Sequence, residues 1–219
     1  MKRLVCKAIL FDLDGVLVDS HAVIERQWQL WADQHGLDVA KIFAIMHGRR
    51  TIETIQEIAP SLPVALEAQK LEQLEIEDRS GLVAMAGAAD LLATLPVGRW
   101  AVVTSGSRML ARTRLLHVGL PLPSILISAD EVHHGKPHPE GYLKAASLLD
   151  IAPQQCVVIE DAPAGIQAAR AAGIPVIAVA TSHASEYLQQ ADICIPSLAA
   201  LAINKKLSAG SEDIAIEIL

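Results

Sequence analysis

Aromatic residues make up only 3% of this 219-residue chain, so no aromatic-rich surface for a macromolecular partner stands out. Basic residues are the second shortage: 18 Lys and Arg stand against 25 Asp and Glu, a formal net charge of −7. Proteins that grip nucleic acid concentrate basic groups to displace its counterions, so neither nucleic acid nor an acidic membrane surface is an expected partner. Long apolar runs are missing as well. Pro, Gly or charge interrupts each one well short of the ~20 residues a membrane helix needs. The basic start Met1-Lys2-Arg3 leads into an apolar run that meets Asp12 and Asp14 too soon for a secretory signal core. Cysteine is scarce and odd in number. Cys6, Cys156 and Cys194 lie far apart in apolar runs that read as strands, which predicts reduced structural thiols in a cytoplasmic protein.

What is present is apolar and periodic. With 52% hydrophobic and 20% charged residues, the chain should form one globular body or two small ones. Short Val- and Ile-rich runs at 6–13, 100–104, 125–128, 156–160, 176–180 and, more weakly, 193–195 predict strands. Helical patterns at 109–117, 139–149, 164–172 and 184–189 lie between them. That alternation predicts an α/β fold, a doubly wound parallel sheet covered by helices. Residues 17–84 break the rhythm: they hold helical patterns at 22–34, 39–46, 51–58 and 63–77 and no convincing strand. The expected organisation is therefore a core of 1–16 plus 85–219 with an all-helical unit, 17–84, inserted after the first strand. The tail after Ala202 is poorly patterned and has no assignment.

Four predicted strands end in residues with chemical potential. Phe11-Asp12-Leu13-Asp14-Gly15 places two carboxylates two residues apart, which is either a solvated acidic turn or a site for something cationic. Val103-Thr104-Ser105-Gly106 runs into small hydroxyl residues that can turn donors toward an anion. Gly135-Lys136-Pro137 sets one lysine in a bracketed loop, and Glu160-Asp161-Ala162-Pro163-Ala164-Gly165 closes a buried-type strand with adjacent carboxylates. Each is weak alone. In a doubly wound sheet, however, all four can meet beyond the carboxyl ends of the strands, where strand order reverses. Asp12, Asp14 and Asp161 would then form a cluster suited to Mg²⁺, with Thr104 and Lys136 facing an anion. The combination points to phosphoryl transfer.

In this order and with these gaps, the four motifs resemble the haloacid dehalogenase superfamily, nearest its sugar-phosphatase and β-phosphoglucomutase-like branch with a helical cap. The resemblance covers nearly the whole chain and implies a Mg²⁺-dependent phosphatase of small sugar or sugar-alcohol phosphates, a monomer whose partner is a small phosphorylated metabolite. It implies Asp12 as nucleophile and Asp14 as general acid and then base, with metal held by Asp12, the Asp14 backbone carbonyl and Asp161. Lys136 would pair with Asp12 and phosphate, while Leu13, Thr104 and Ser105 would contact the phosphoryl group. A carboxylate at the ordinary ~3.9 would be ionised at neutral pH without a partner base. Glu160 reads as a supporting, second-layer residue or as a purely structural carboxylate.

Specificity should come from the cap. The loop His47-Gly48-Arg49-Arg50 either faces the leaving group or is a solvated basic turn, and Ser20 and Glu25 could reach the site mouth. Trp28 and Trp31, at i, i+3, suit core packing better than a sugar platform. His133, His134 and His138 around Lys136 read as solvated histidines or a transition-metal site, and His21, His35, His117 and His183 carry no pattern. The enzymatic alternative is a sugar-phosphate mutase, whose pattern places an arginine three residues after the cap-loop glycine; Thr51 stands there. True haloacid dehalogenases lack the second aspartate that this chain has in Asp14. A binding protein on a decayed enzyme fold should lack one of the reactive residues, and none is missing.

Overall fold

The computed structural model describes residues 3–204 and 213–219. The chain opens with β1 (Arg3–Cys6), β2 (Ala8–Phe11) and a short β3 (Val18–Asp19). Four helices follow, α1 (His21–His35), α2 (Val39–Met46), α3 (Thr51–Ile58) and α4 (Val64–Glu77). Next come β4 (Val83–Ala84), α5 (Ala88–Thr94), β5 (Trp100–Val103), α6 (Arg108–His117) and β6 (Leu126–Ile127). The remainder comprises α7 (Glu140–Leu148), β7 (Cys156–Glu160), α8 (Pro163–Ala171), β8 (Val176–Val179), β9 (Ile193–Ile195), β10 (Leu201–Ile203) and β11 (Ile214–Ile218).

Six strands form an all-parallel sheet in the order β6-β5-β2-β7-β8-β9, the doubly wound α/β architecture expected from the alternating pattern. Its strands are buried on both faces, so their side chains divide by alternation. Ile9, Phe11, Val102, Val157, Ile159 and Ile177 feed one apolar cluster. Ala8, Leu10, Ala101, Val103, Val158 and Ala178 feed another, under Tyr142, Ala145 and Ala146 of α7 and Ile166, Ala168 and Ala169 of α8. The small residues on that second face let the helices approach closely. The helical unit keeps its own cluster, built on Trp28, Trp31, Ile42, Ile55 and Leu71. No helix of the described residues is long and apolar enough to cross a membrane.

Several elements depart from the sequence reading. The expected strand 6–13 is interrupted at Lys7 and ends at Phe11. Beyond it the Leu13 carbonyl accepts the N–H groups of Val16, Leu17 and Val18, winding the chain into a turn. Residues 17–84 do contain strand: β3 and β4 pair antiparallel, Val18 with Ala84 and Asp19 with Val83, where the chain enters and leaves the helices. Two-residue strands carry too little alternation to be seen in sequence. The expected helix 184–189 shrinks to a 3₁₀ turn over Ser185–Tyr187, since six residues are too few to offset helix nucleation. The unassigned tail contributes β10 and β11, which join β1 in an antiparallel three-stranded sheet, and residues 205–212 lie outside the described residues. Cys6 and Cys156 are buried, but Cys194 is exposed.

Leu10 is fully buried between β5 and β7, whereas Val97 is 97% exposed. Leu10→Ala should therefore cost about 2–5 kcal/mol in urea unfolding. Val97→Ala should stay within about 0.5 kcal/mol of the parent protein.

Candidate active site

In chain order the parallel strands run from β2 outward to β5 and β6, then resume at β7 on the other side of β2 and continue to β8 and β9. The order thus reverses between β2 and β7, the position at which ligands bind in such sheets. The Asp12 N–H donates to the Ile159 carbonyl at 2.9 Å and ties the two strand ends together there. Thr104 follows β5, with its N–H on the Ile127 carbonyl at 2.9 Å, and Asp161 follows β7. Lys136 arrives on the loop before α7. Asp12, Thr104, Lys136, Glu160 and Asp161 are all buried.

Lys136 organises the group. Its ammonium donates to the Asp12 carboxylate, to Glu160 Oε1 at 2.7 Å and to the Val103 carbonyl at 3.1 Å, and it lies 5.2 Å from the Tyr142 ring centroid. Burial opposes its charge, but Asp12 and Glu160 outweigh that effect and hold it above the ordinary lysine range. Glu160 is saturated: Oε1 also accepts the Tyr142 hydroxyl at 2.8 Å, and Oε2 accepts the N–H groups of Asp161 and Ala162. Gly165 leaves the room it occupies, because a Cβ there would fall 1.6 Å from Oε1.

Burial pushes Asp12 up to about 7 against the pull of Lys136, with Glu160 and Asp14 adding repulsion. Burial thus moves Asp12 off the ordinary value expected from sequence, although it still lines the cleft. Asp161 is raised well above the carboxylate range, by burial and by its neighbours Glu160 and Asp12. Oxygens of Asp12, Glu160 and Asp161 lie within 4.8 Å of one another. Three buried carboxylates facing one ammonium lack positive charge, and oxygen-only donors suit a hard divalent cation. Since four hydrogen bonds already occupy Glu160, Asp12 and Asp161 are the carboxylates available to such an ion.

Asp14 faces the cleft beside this cluster. Its Oδ1 accepts from the Ser20 hydroxyl at 2.7 Å and from Arg114 Nη1 at 2.7 Å. Nη2 of the same guanidinium donates to Glu75 Oε2 of α4 at 2.6 Å. Arg114 is 1% exposed, and Asp14 and Glu75 keep it cationic against the cost of burial. Burial pushes Glu75 up to about 7 despite the guanidinium, and nearby Asp14 adds to the rise. The sequence reading missed both residues, although each left a trace. Arg114 occupies a position of α6 where Leu110, Ala111 and Leu115 form the buried stripe. Glu75 shares the buried face of α4 with Leu71 and Glu67, at four-residue spacing.

The remaining expected residues divide. Ser20, His47, Arg49, Thr104 and Ser105 line the cleft with Asp12, Asp14 and Asp161. Glu25 does not. It is exposed, one residue round α1 from the cleft-lining Ile24. The Leu13 side chain is core, which leaves only its backbone to face a ligand. Thr104 Oγ1 accepts the Gly106 N–H at 3.1 Å. The Ser105 hydroxyl donates to the Gly48 carbonyl at 2.7 Å, so it joins the helical unit to the core. Arg49 pairs with Glu57 at 2.8 Å. Arg50 pairs with Glu53 and donates to the carbonyls of Val132 and His133, serving as an anchor. Trp28 and Trp31 pack edge to face in the helical core, and Trp28 also lines the cleft.

Two histidine groups complete the site. His134 and His138 are exposed, and Glu140 beside them accepts the N–H groups of His133 and His134. His21, given no chemistry from sequence, meets Ser182 Oγ at 2.6 Å, and that hydroxyl donates to Asp161. His47 lies between His21 and His183, with ring centroids 6.0 and 5.2 Å away. Burial first, then His183 and His21, lowers it to about 4, so it is neutral at physiological pH.

Comparison with known proteins agrees with this geometry. The family model for haloacid dehalogenase-like hydrolases matches residues 6–173. The chain is 41% identical to hexitol phosphatase A of Escherichia coli over 92% of its own length and 95% of the relative's. It is 35% identical to glycerol-1-phosphate phosphohydrolase 2 of Saccharomyces cerevisiae, over 84% and 78% respectively. The crystal structure of β-phosphoglucomutase from Clostridium difficile superposes with a TM-score of 0.73 at 23% identity, covering 88% of this chain and 92% of that one. With strand-end motifs, sheet order and relatives in agreement, the chain belongs to the haloacid dehalogenase-like hydrolases.

Proposed function

We propose that this hydrolase is a Mg²⁺-dependent phosphatase of small sugar or sugar-alcohol phosphates, acting through a phosphoryl-Asp12 intermediate. The observation that carries the reading is the buried contact of Lys136 with Asp12, beside Asp161, at the point where strand order reverses. The named activities of the two curated relatives support the substrate class. Asp12, Asp161 and the Asp14 backbone carbonyl would hold the ion, with Glu160 behind them. When bound, such an ion offsets the charge of the carboxylates and of the phosphate.

In this reading an Asp12 carboxylate oxygen attacks phosphorus, and the bond from phosphorus to the leaving oxygen breaks. Lys136 keeps Asp12 aimed and neutralises part of the charge that gathers on the phosphoryl oxygens. Thr104 and the Ser105 backbone N–H are the donors beside those oxygens. Asp14 gives a proton to the leaving alcohol, then takes one from the water that attacks the phosphoryl group on Asp12 and releases phosphate. Ser20 and Arg114 hold the Asp14 carboxyl in one orientation between the steps. Residues 17–84 act as the cap that covers the leaving group. A mutase needs a cation for a second phosphate, but Arg49 and Arg50 of the cap loop are both ion-paired, which favours hydrolysis.

A panel of sugar and sugar-alcohol phosphates, scored for free phosphate and for sugar product with and without chelator, tests the reading. Metal-dependent phosphate release is expected; isomerised sugar phosphate without free phosphate would instead establish a mutase. Asp12→Asn should abolish release while the circular dichroism spectrum stays unchanged, and near-normal turnover would remove Asp12 as nucleophile. Asp14→Asn should slow turnover by roughly 10²–10⁴-fold, the range of one general acid–base group.

The metal requirement should depend on pH. Because Asp12 is pushed up to about 7, the proton it retains at lower pH competes with the cation. The Mg²⁺ concentration for half-maximal activity should therefore rise as pH is lowered through about 7, and a requirement flat from pH 6 to 8 would contradict the assignment of Asp12 as a ligand.

A further inference from the structure

The core phosphoryl site reads the phosphate, which leaves open what reads the rest of the substrate. Three groups inside the cleft were not anticipated from sequence: Arg114, Glu75 and the apolar wall they share with Trp28, Met46 and Leu110. Arg114 and Glu75 come from opposite sides, the first from the core helix α6 and the second from α4 of the helical unit, and they meet 2.6 Å apart. Arg114 Nη1 and Nη2 donate to Asp14 and Glu75, whereas its buried Nε–H has no hydrogen-bond partner. A buried unmet donor is costly, and it stands on a side chain that lines the cleft.

The charge balance of this group is as informative as its donors. One guanidinium is shared between two carboxylates, Asp14 and Glu75, so the inner end of the cleft offers no free cation to a second anion. Arg49 on the rim is neutralised by Glu57. A second phosphate or a carboxylate on the leaving group would lose its water there without gaining a free cation, and burying an unpaired charge is costly. An alcohol meets no such penalty, because its hydroxyl can donate to Glu75 where that side chain lines the cleft.

We infer that Glu75 and Arg114 form the leaving-group subsite, selecting neutral polyhydroxylated alcohols and rejecting leaving groups that carry a second anion. The inference rests on the phosphatase reading above and adds the chemistry of its selectivity. It makes Glu75 a specificity-determining residue contributed by the cap, poised over Asp14 through a shared guanidinium.

The test compares sorbitol 6-phosphate, sorbitol 1,6-bisphosphate and p-nitrophenyl phosphate, which share a phosphoryl group and differ in hydroxyls and second charge. The parent enzyme should favour the monophosphate over the bisphosphate in kcat/KM. Glu75→Gln keeps the shape and an acceptor but removes one charge. It should shrink that preference by roughly tenfold or more, the loss of one charge-assisted contact. It should also lower kcat/KM for sorbitol 6-phosphate more than for p-nitrophenyl phosphate, chiefly through KM. Unchanged ratios among the three in a folded Glu75→Gln enzyme would overturn the inference and leave the phosphatase reading intact. Should that variant fail to fold, Glu75→Asp decides: it keeps the charge but withdraws the carboxylate, so KM for sorbitol 6-phosphate should rise while rejection of the bisphosphate persists, and parental values for both would again overturn it. A parent enzyme inactive on every sugar and polyol phosphate defeats the phosphatase reading, and the subsite falls with it.

Discussion

The contact of Lys136 with Asp12 and Glu160 is the constraint around which this structure is arranged. A parallel sheet brings the carboxyl ends of its strands to one edge, and here those ends bury Asp12, Glu160 and Asp161 with one ammonium among them. Deleting Lys136 would leave buried carboxylates with no cation, a change that costs roughly 3–5 kcal/mol in comparable sites. Much of the surrounding structure serves that arrangement. The Tyr142 hydroxyl, two backbone N–H groups and the missing side chain of Gly165 all fix Glu160, so that Glu160 can fix Lys136.

The boundary between the helical unit and the core is built differently. Each side has its own apolar cluster, although Val23 of α1 packs into the core's, and polar contacts join the two. The Ser107 N–H donates to Glu72 at 2.8 Å, Gly135 N–H to Glu53 at 3.3 Å, and Arg50 to two carbonyls of the loop that leads to Lys136. Gly48 packs so closely on the start of α8 that a Cβ would lie 2.8 Å from that of Ala162. Water can replace hydrogen bonds of this kind at small net cost, whereas a shared apolar core would resist opening. A segment that must admit a substrate and then exclude water needs that kind of seam.

Sequence patterning carried the sheet, because strands buried on both faces read as plain apolar runs, and Cys156–Glu160 and Ile193–Ile195 begin and end where those runs do. The helices of the inserted unit were equally legible from their period and their stops, such as Gly36 at φ 65° after α1. Short pieces were not, since β3, β4 and the 3₁₀ turn at Ser185–Tyr187 depend on pairings and turns that no local period announces. At the site, the motif residues Asp12, Thr104 and Asp161 could be placed together because each follows the end of a strand, and Lys136 because its loop precedes a helix of the same sheet. Arg114, Glu75 and His21 escaped notice because their role depends on long-range contact: Arg114 meets Asp14 from 100 residues away, and His21 reaches Ser182 across 161. Glu25 failed in the opposite way, being near the site in sequence and turned outward by the helix that carries it.

The two-rung ladder of β3 and β4 has a consequence for how such a protein changes over time. The helical unit leaves and rejoins the core at neighbouring points, Val18 opposite Ala84 and Asp19 opposite Val83. Insertions, exchanges or losses between those points therefore leave the register of the six-stranded sheet and the spacing of its strand-end residues untouched. One hydrolase core can thus be inherited intact while the helical segment beside it is rewritten.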